Sequence, residues 1–167
     1  MTPDLKNPLA LAMEDWLAGC DFAVMGHGFA KHGRDYVLVI EDIIGRDRGT
    51  HRLIFTHVVS LKYETAQSDE SWRQSWDDRF IDYEAYLEAG EPEGYPWYYN
   101  YSGAWPGLKA PDSTPGSLRW SEKLGHPMFE MSLETDRFRL AMIFHNLRTE
   151  KLSEETPTVS RSVIPLG

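Results

Sequence analysis

Three side chains in the first third of the sequence could carry acid–base chemistry: His27, Asp35 and His57. A carboxylate that accepts a hydrogen bond from an imidazole orients the ring and raises its basicity, which suits a histidine for general acid–base catalysis. The same pair can serve structure alone, because a buried polar group without a partner costs roughly 1–3 kcal/mol. We therefore treat the three residues as a catalytic hypothesis, with mutual satisfaction of half-buried polar groups as the alternative.

The proximity of Asp35 to His57 depends on a predicted hairpin. The segments before and after the polar turn 45–49 are rich in β-branched and aromatic residues, a pattern typical of two antiparallel strands. Counting inward from that turn pairs Val37 with His57, so Asp35 lies on the same face as His57, one diagonal step away. A slip in the register would separate the two side chains.

A second group of residues could bind a partner through aromatic rings. Six tyrosines and tryptophans fall within the eleven positions from 95 to 105: Tyr95, Trp97, Tyr98, Tyr99, Tyr101 and Trp105. Large rings with polar tips are favoured where one end is apolar and the other is wet, as in pockets and interfaces. Prolines within 91–117 predict an irregular segment. It would either form a binding surface or act as a flap that seals the sheet edge.

Acidic residues concentrate between positions 69 and 93. Nine acids and two arginines lie there, so this segment carries seven of the nine net negative charges of the chain. Ser68 can cap a helix, an aromatic stripe at helical spacing follows, and Gly90 can end it, which predicts one long central helix. Its carboxylates form either a docking surface for a basic partner or a solvated face; three of them would lie close together, namely Asp77, Asp78 and Asp82.

No metal or cofactor motif is present in the sequence. The six histidines show no recognised ligand spacing, and the single cysteine, Cys20, excludes both a disulfide framework and a cysteine-based zinc site. The chain has no GxSxG elbow, no GxGxxG loop and no GK[ST] motif. We therefore predict no metal site and no cofactor, and the sequence leaves open whether the protein is an enzyme.

Length and composition indicate one globular domain spanning 1–167, with a core at about 8–152 and a loosely ordered tail at 153–167. The chain has 167 residues, of which 41% are hydrophobic and 26% are charged. A net charge of −9 repels phosphate backbones, so we expect no nucleic-acid partner. The absence of a signal-like start and of long apolar runs predicts a cytoplasmic protein without membrane contact.

The predicted fold class is α+β. Asn7 and Pro8 begin an N-terminal helix, which Gly19 would end, and alternating apolar residues from 129 to 144 form a second hairpin. A weak similarity between segments 52–58 and 139–147 favours two related hairpins in one sheet. We therefore expect a single antiparallel β-sheet built from two hairpins, packed by the N-terminal helix and by the long, aromatic-striped central helix.

Six short motifs, in this order, resemble those of the bacterial YxiG-like proteins: HGF at 27–29, RDY at 34–36, LIFTH at 53–57, WRQSWDDR at 72–79, GYPW at 94–97 and RWSEKLG at 119–125. The resemblance covers about residues 10–150. It implies a small cytoplasmic bacterial protein, some of whose relatives are encoded near polymorphic-toxin loci, where immunity proteins are common neighbours. It supplies no catalytic residues.

Two functions from different classes remain open. The first is a non-enzymatic binding protein of immunity or antitoxin type, which would use the acidic helix and the aromatic segment to bind a basic protein such as a toxin domain. The alternative is a small-molecule-binding protein or small enzyme, in which the aromatic segment walls a pocket and the His–Asp pair supplies acid–base chemistry.

Overall fold

The computed structural model describes residues 5–75, 83–90 and 101–152. The predicted loose tail, 153–167, lies outside the described residues. In chain order the elements are α1 (Pro8–Asp15), β1 (Ala23–Ala30), β2 (Asp35–Asp42), β3 (Gly49–Thr56), β4 (Ser60–Thr65), α2 (Asp69–Gln74), α3 (Tyr83–Glu88), β5 (Ser102–Gly103), β6 (Gly107–Lys109), α4 (Pro115–Leu124), β7 (Phe129–Glu134), β8 (Phe138–Phe144) and β9 (Asn146–Lys151).

The strands form two antiparallel sheets, so the predicted single sheet is wrong. Sheet A has the order β5-β1-β2-β3-β9, and sheet B has the order β4-β8-β7-β6. One pair of long strands connects them, because β3 continues into β4 while its partner β9 continues from β8. This pair of strands bends at His57, between β3 and β4, and at His145, between β8 and β9. His57 adopts a left-handed backbone conformation with φ 53°. Alternation along a strand cannot reveal such a change of sheet.

The main core lies between the inner faces of the two sheets. Phe55 from sheet A and Phe144 from sheet B are fully buried and meet edge to face, with ring centroids 5.0 Å apart. Leu9 of α1 joins the same apolar cluster, so the first helix covers the core as its apolar spacing predicts. Packing of both sheets on one core fixes the positions of the loops at their ends.

The structure confirms the pairing of the second predicted hairpin and corrects the register of the first. In the second, β7 and β8 pair around a tight turn, with Glu134 opposite Arg139. Buried and part-exposed residues alternate along β7 as predicted, but along β8 only as far as Met142, because Ile143 is buried as well. In the first, Val37 lies opposite Ile54 rather than His57, so the predicted register is wrong by three residues. The turn begins earlier than expected because the buried carboxylate of Asp42 accepts hydrogen bonds from the backbone N–H groups that follow it.

The helix starts are confirmed, whereas the long central helix is wrong. The Asn7 side chain caps α1 and that of Ser68 caps α2 as predicted, although α1 ends at Asp15, before Gly19. In the described parts of the region predicted as one helix, 68–75 and 83–90, there are two short helices, α2 and α3, each of six residues. At the end of α2 the Ser75 hydroxyl donates a hydrogen bond to the Trp72 carbonyl, a local bond that competes with helix continuation.

Candidate functional site

A cleft of about 670 Å³ opens at one end of sheet A. Tyr101 and Trp105, which flank the short strand β5, line it together with apolar side chains from the start of β1 and the end of β2. Trp105 is 66% exposed and Ile43 is 61% exposed, so two large apolar side chains at this site face solvent. Apolar surface that is exposed in a concave site is typical of binding sites.

Backbone hydrogen bonds hold the walls of this cleft. The Asp21 N–H donates to the Ala104 carbonyl, and the Ala104 N–H donates to the Phe22 carbonyl, both at 2.8 Å. The Asp136 carboxylate accepts from the Gly103 N–H at 3.0 Å, which connects the β7–β8 turn to β5. The segment that carries Trp105 is therefore fixed on both sides, and the cleft is formed before any ligand arrives.

The charged residues that line the cleft, within the described part of the chain, are all acidic. They are Asp21, Glu41 and Asp136. None of the three forms an ion pair with another described residue. Three carboxylates around one opening, without cationic partners, create a negative potential that attracts a cation.

Of the predicted binding residues, the structure brings Tyr101 and Trp105 together in this cleft. The others lie outside the described residues: Tyr95, Trp97, Tyr98, Tyr99, Asp77, Asp78 and Asp82. Sequence reasoning missed the three cleft carboxylates, because they belong to distant parts of the chain. The local signal in the sequence that could have indicated the cleft is Ile43-Ile44, an apolar pair next to a polar turn.

His27, one of the three catalytic candidates, lies in a smaller pocket of about 220 Å³ that shares Met25 and Tyr101 with the cleft. Its Nδ1 is 2.6 Å from the Tyr36 hydroxyl oxygen, and its ring centroid is 4.6 Å from that of Phe138. Burial lowers the pKa of His27, and burial raises the pKa of Tyr36 to about 12. Both groups are therefore neutral at pH 7. The two side chains share a hydrogen bond, and the pair carries no charge.

Asp35 and His57 are adjacent, but their side chains do not form the predicted pair. The buried Asp35 carboxylate accepts from the Arg34 guanidinium at 2.9 and 3.0 Å and from the backbone N–H of His57 at 3.1 Å. The His57 ring instead meets His145 edge to face, with centroids 5.9 Å apart. Asp35 thus holds the strand bend in place rather than orienting an imidazole, and His27 belongs to a different pocket.

We expect Asp35→Asn to destabilise the protein by about 2 kcal/mol at pH 7, because a charged acceptor of hydrogen bonds is lost from a buried position. The hydrogen bond from Arg34 lowers the pKa of Asp35 in the folded state. The carboxylate's contribution is therefore complete above the ordinary aspartate pKa of about 3.9 and disappears as pH falls through the lowered folded pKa. Urea unfolding of both proteins from pH 7 to pH 2.5 measures this difference. A difference in unfolding free energy that stays constant over this range would contradict the assignment.

The described residues 5–75, 83–90 and 101–152 contain no group of three histidine, cysteine, aspartate or glutamate side chains arranged to hold a metal ion. Within the same ranges, no helix combines the length and the apolar character needed to cross a bilayer. Of the pockets among the described residues, the cleft at Trp105 and the neighbouring His27 pocket are the ones that contain residues predicted to form a site.

Fold and site together define a small two-sheet antiparallel protein with an acidic, aromatic cleft at one end of its larger sheet. Residues 6–161 match the family model described as YxiG-like protein, and the chain therefore belongs to the YxiG-like protein family, as its motifs suggested. No curated protein matches the chain.

A crystal structure of an uncharacterized protein from Neisseria gonorrhoeae is similar over 80% of this chain and 93% of that chain, with 11% identity and a TM-score of 0.36. A likeness of this size supports no conclusion about fold or function.

Proposed function

We propose that this protein is a non-enzymatic binding protein of immunity type, which captures a basic protein domain through the cleft at Trp105. The observation that carries the proposal is a preformed apolar cleft whose three carboxylates have no ion-pair partner among the described residues. A basic partner would supply the missing cations.

The exposed side chains of the cleft are of the kinds that dominate protein interfaces. Tryptophan and tyrosine are enriched among the residues that contribute most to binding, especially where surrounding contacts exclude water. Trp105 and Tyr101 line the cleft together with the three carboxylates. The charge of −9 adds long-range attraction that would speed the encounter with a basic domain.

The geometry gives less support to the enzyme form of the alternative. Acid–base catalysis as predicted needs a carboxylate that orients a histidine, and the Asp35 carboxylate already binds a guanidinium group and a backbone amide. The His27 pocket pairs two neutral groups in place of an acid and a base.

The test begins with affinity capture from cells that encode the chain, followed by purification of the captured protein and calorimetric titration. We expect a basic partner whose affinity falls as salt rises. Glu41→Gln should weaken binding about 5- to 10-fold, because this variant removes one carboxylate from the cleft. The matched control is Glu122→Gln, an equal charge change at an exposed position on α4, which packs against β7 of sheet B.

Coexpression tests the immunity part of the proposal. The captured domain should arrest growth when it is produced alone, and the wild-type chain should restore growth. Failure to capture a partner, or a partner that responds equally to Glu41→Gln and Glu122→Gln, would refute the binding function at this cleft. A partner that binds there without harming cells would refute the immunity role.

A further inference from the structure

We propose that the cleft receives an arginine side chain of the partner, with the guanidinium group stacked on the indole of Trp105 and facing the carboxylates of Asp21, Glu41 and Asp136. The inference rests on the proposed function, since it identifies the chemical group that the cleft recognises. It concerns a single side chain, so it can be tested with a short peptide.

The charges of the residues that line the cleft favour a cationic ligand. Asp21 precedes β1, Glu41 lies near the end of β2 and Asp136 lies in the β7–β8 turn. No lysine or arginine among the described residues lines the same cleft. Asp136 already accepts one hydrogen bond from the Gly103 N–H, which leaves it further acceptor capacity. Glu41 is exposed and accepts no hydrogen bond from any described residue.

The apolar surface favours arginine over lysine. A guanidinium group is planar and weakly hydrated, so it can stack on an indole face while its N–H groups bind carboxylates. Trp105 offers a ring that is 66% exposed, and Ile43, which is 61% exposed, offers apolar surface to the methylene chain. A lysine ammonium is a strongly hydrated point charge and would gain less from the same ring.

Backbone hydrogen bonds fix the wall of the cleft before a ligand binds. The Asp21, Phe22 and Ala104 backbones are joined by two hydrogen bonds of 2.8 Å, so the strand segment before Trp105 is fixed. A site that is formed in advance loses less conformational entropy when a ligand binds. The cleft can therefore hold a single side chain with measurable affinity.

The test uses three capped tripeptides, acetyl-Gly-Xaa-Gly-amide, in which Xaa is arginine, lysine or citrulline. Citrulline keeps the length and planarity of arginine and lacks its charge. Binding is followed on the full chain by the indole N–H signals in nitrogen–proton NMR spectra, and Trp105→Phe identifies the signal of Trp105. We expect the arginine peptide to shift this signal, with lysine about 3-fold weaker and citrulline at least about 10-fold weaker.

Two variants test which residues recognise the peptide. Trp105→Ala should abolish binding of the arginine peptide, which in this variant is followed by the backbone N–H signals of Gly103 and Ala104. Glu41→Gln should weaken binding about 3-fold, whereas Glu122→Gln should leave it unchanged. Unfolding curves of each variant verify that the chain is folded. Equal binding of arginine and citrulline, tighter binding of lysine, or no shift of the Trp105 signal at 20-fold peptide excess over about 1 mM protein would overturn the inference.

The outcomes separate this inference from the proposed function. A basic partner that is sensitive to Glu41→Gln, combined with no preference for the arginine peptide, would preserve the function and refute the arginine site. Selective binding of the arginine peptide without any basic protein partner would preserve the site and refute the function.

Discussion

Trp105→Ala is expected to weaken binding of the basic partner by about 30- to 100-fold, the loss typical of an aromatic side chain at the centre of an interface. The free energy of unfolding should change by less than about 0.5 kcal/mol, because exposed side chains contribute little to folding. Trp105 is 66% exposed and lines the cleft. Calorimetric titration with the purified partner and urea unfolding measure the two quantities separately.

Ile43→Ala and Leu118→Ala provide a matched comparison for this result. The two side chains are 61% and 59% exposed, but Ile43 lines the cleft and Leu118 lies on α4. Ile43→Ala should weaken binding of the partner about 3- to 10-fold, and Leu118→Ala should have no effect on binding. Equal responses of the partner to the two variants, or an unchanged affinity in Trp105→Ala, would place the interface elsewhere.

Asn7→Ala is expected to destabilise the protein by about 3–5 kcal/mol, because it leaves several buried groups without hydrogen bonds. The fully buried Asn7 side chain accepts from the Leu9 N–H and donates to the carbonyls of Pro111 and Glu130. It therefore caps α1 and also joins this helix to the strand β7 and to the loop before α4. Urea unfolding monitored by tryptophan fluorescence measures the loss.

Asn7→Asp separates the cap from the connection to the sheet. Aspartate caps a helix as well as asparagine does, but it cannot donate hydrogen bonds and it places a negative charge against two carbonyl oxygens. We expect Asn7→Asp to be at least as destabilising as Asn7→Ala. Stability close to that of the wild type would show that the residue acts only as a helix cap.

Local signals in the sequence predicted those parts of the fold that depend on neighbouring residues. The caps predicted at Asn7 and Ser68 are both present. The register of the β7–β8 hairpin also follows from local signals: the alternation of β7 and of β8 as far as Met142, together with a tight turn, leaves one register that buries one face.

Patterns that do not settle register or length gave wrong predictions. The β2–β3 register depends on the buried carboxylate of Asp42, which binds the N–H groups of Ile44 and Gly45 and also that of Ala18. The last of these bonds spans 24 positions and cannot be derived from turn composition. The aromatic spacing after Ser68 satisfied a helical period, although helix α2 ends at Gln74.

The sequence by itself determined the family of the chain, its strong negative charge, the capped starts of two helices and the second hairpin. Capping and strand propensity depend on neighbouring residues, and net charge depends on composition alone. The sequence also identified Tyr101 and Trp105 as candidates for binding. Tertiary structure alone decided that one strand pair crosses between two sheets, that Asp35 supports the bend at His57, and that Asp21, Glu41 and Asp136 meet around Trp105. These three carboxylates span 115 positions of sequence, and only the packing of both sheets on a common core brings them to one opening.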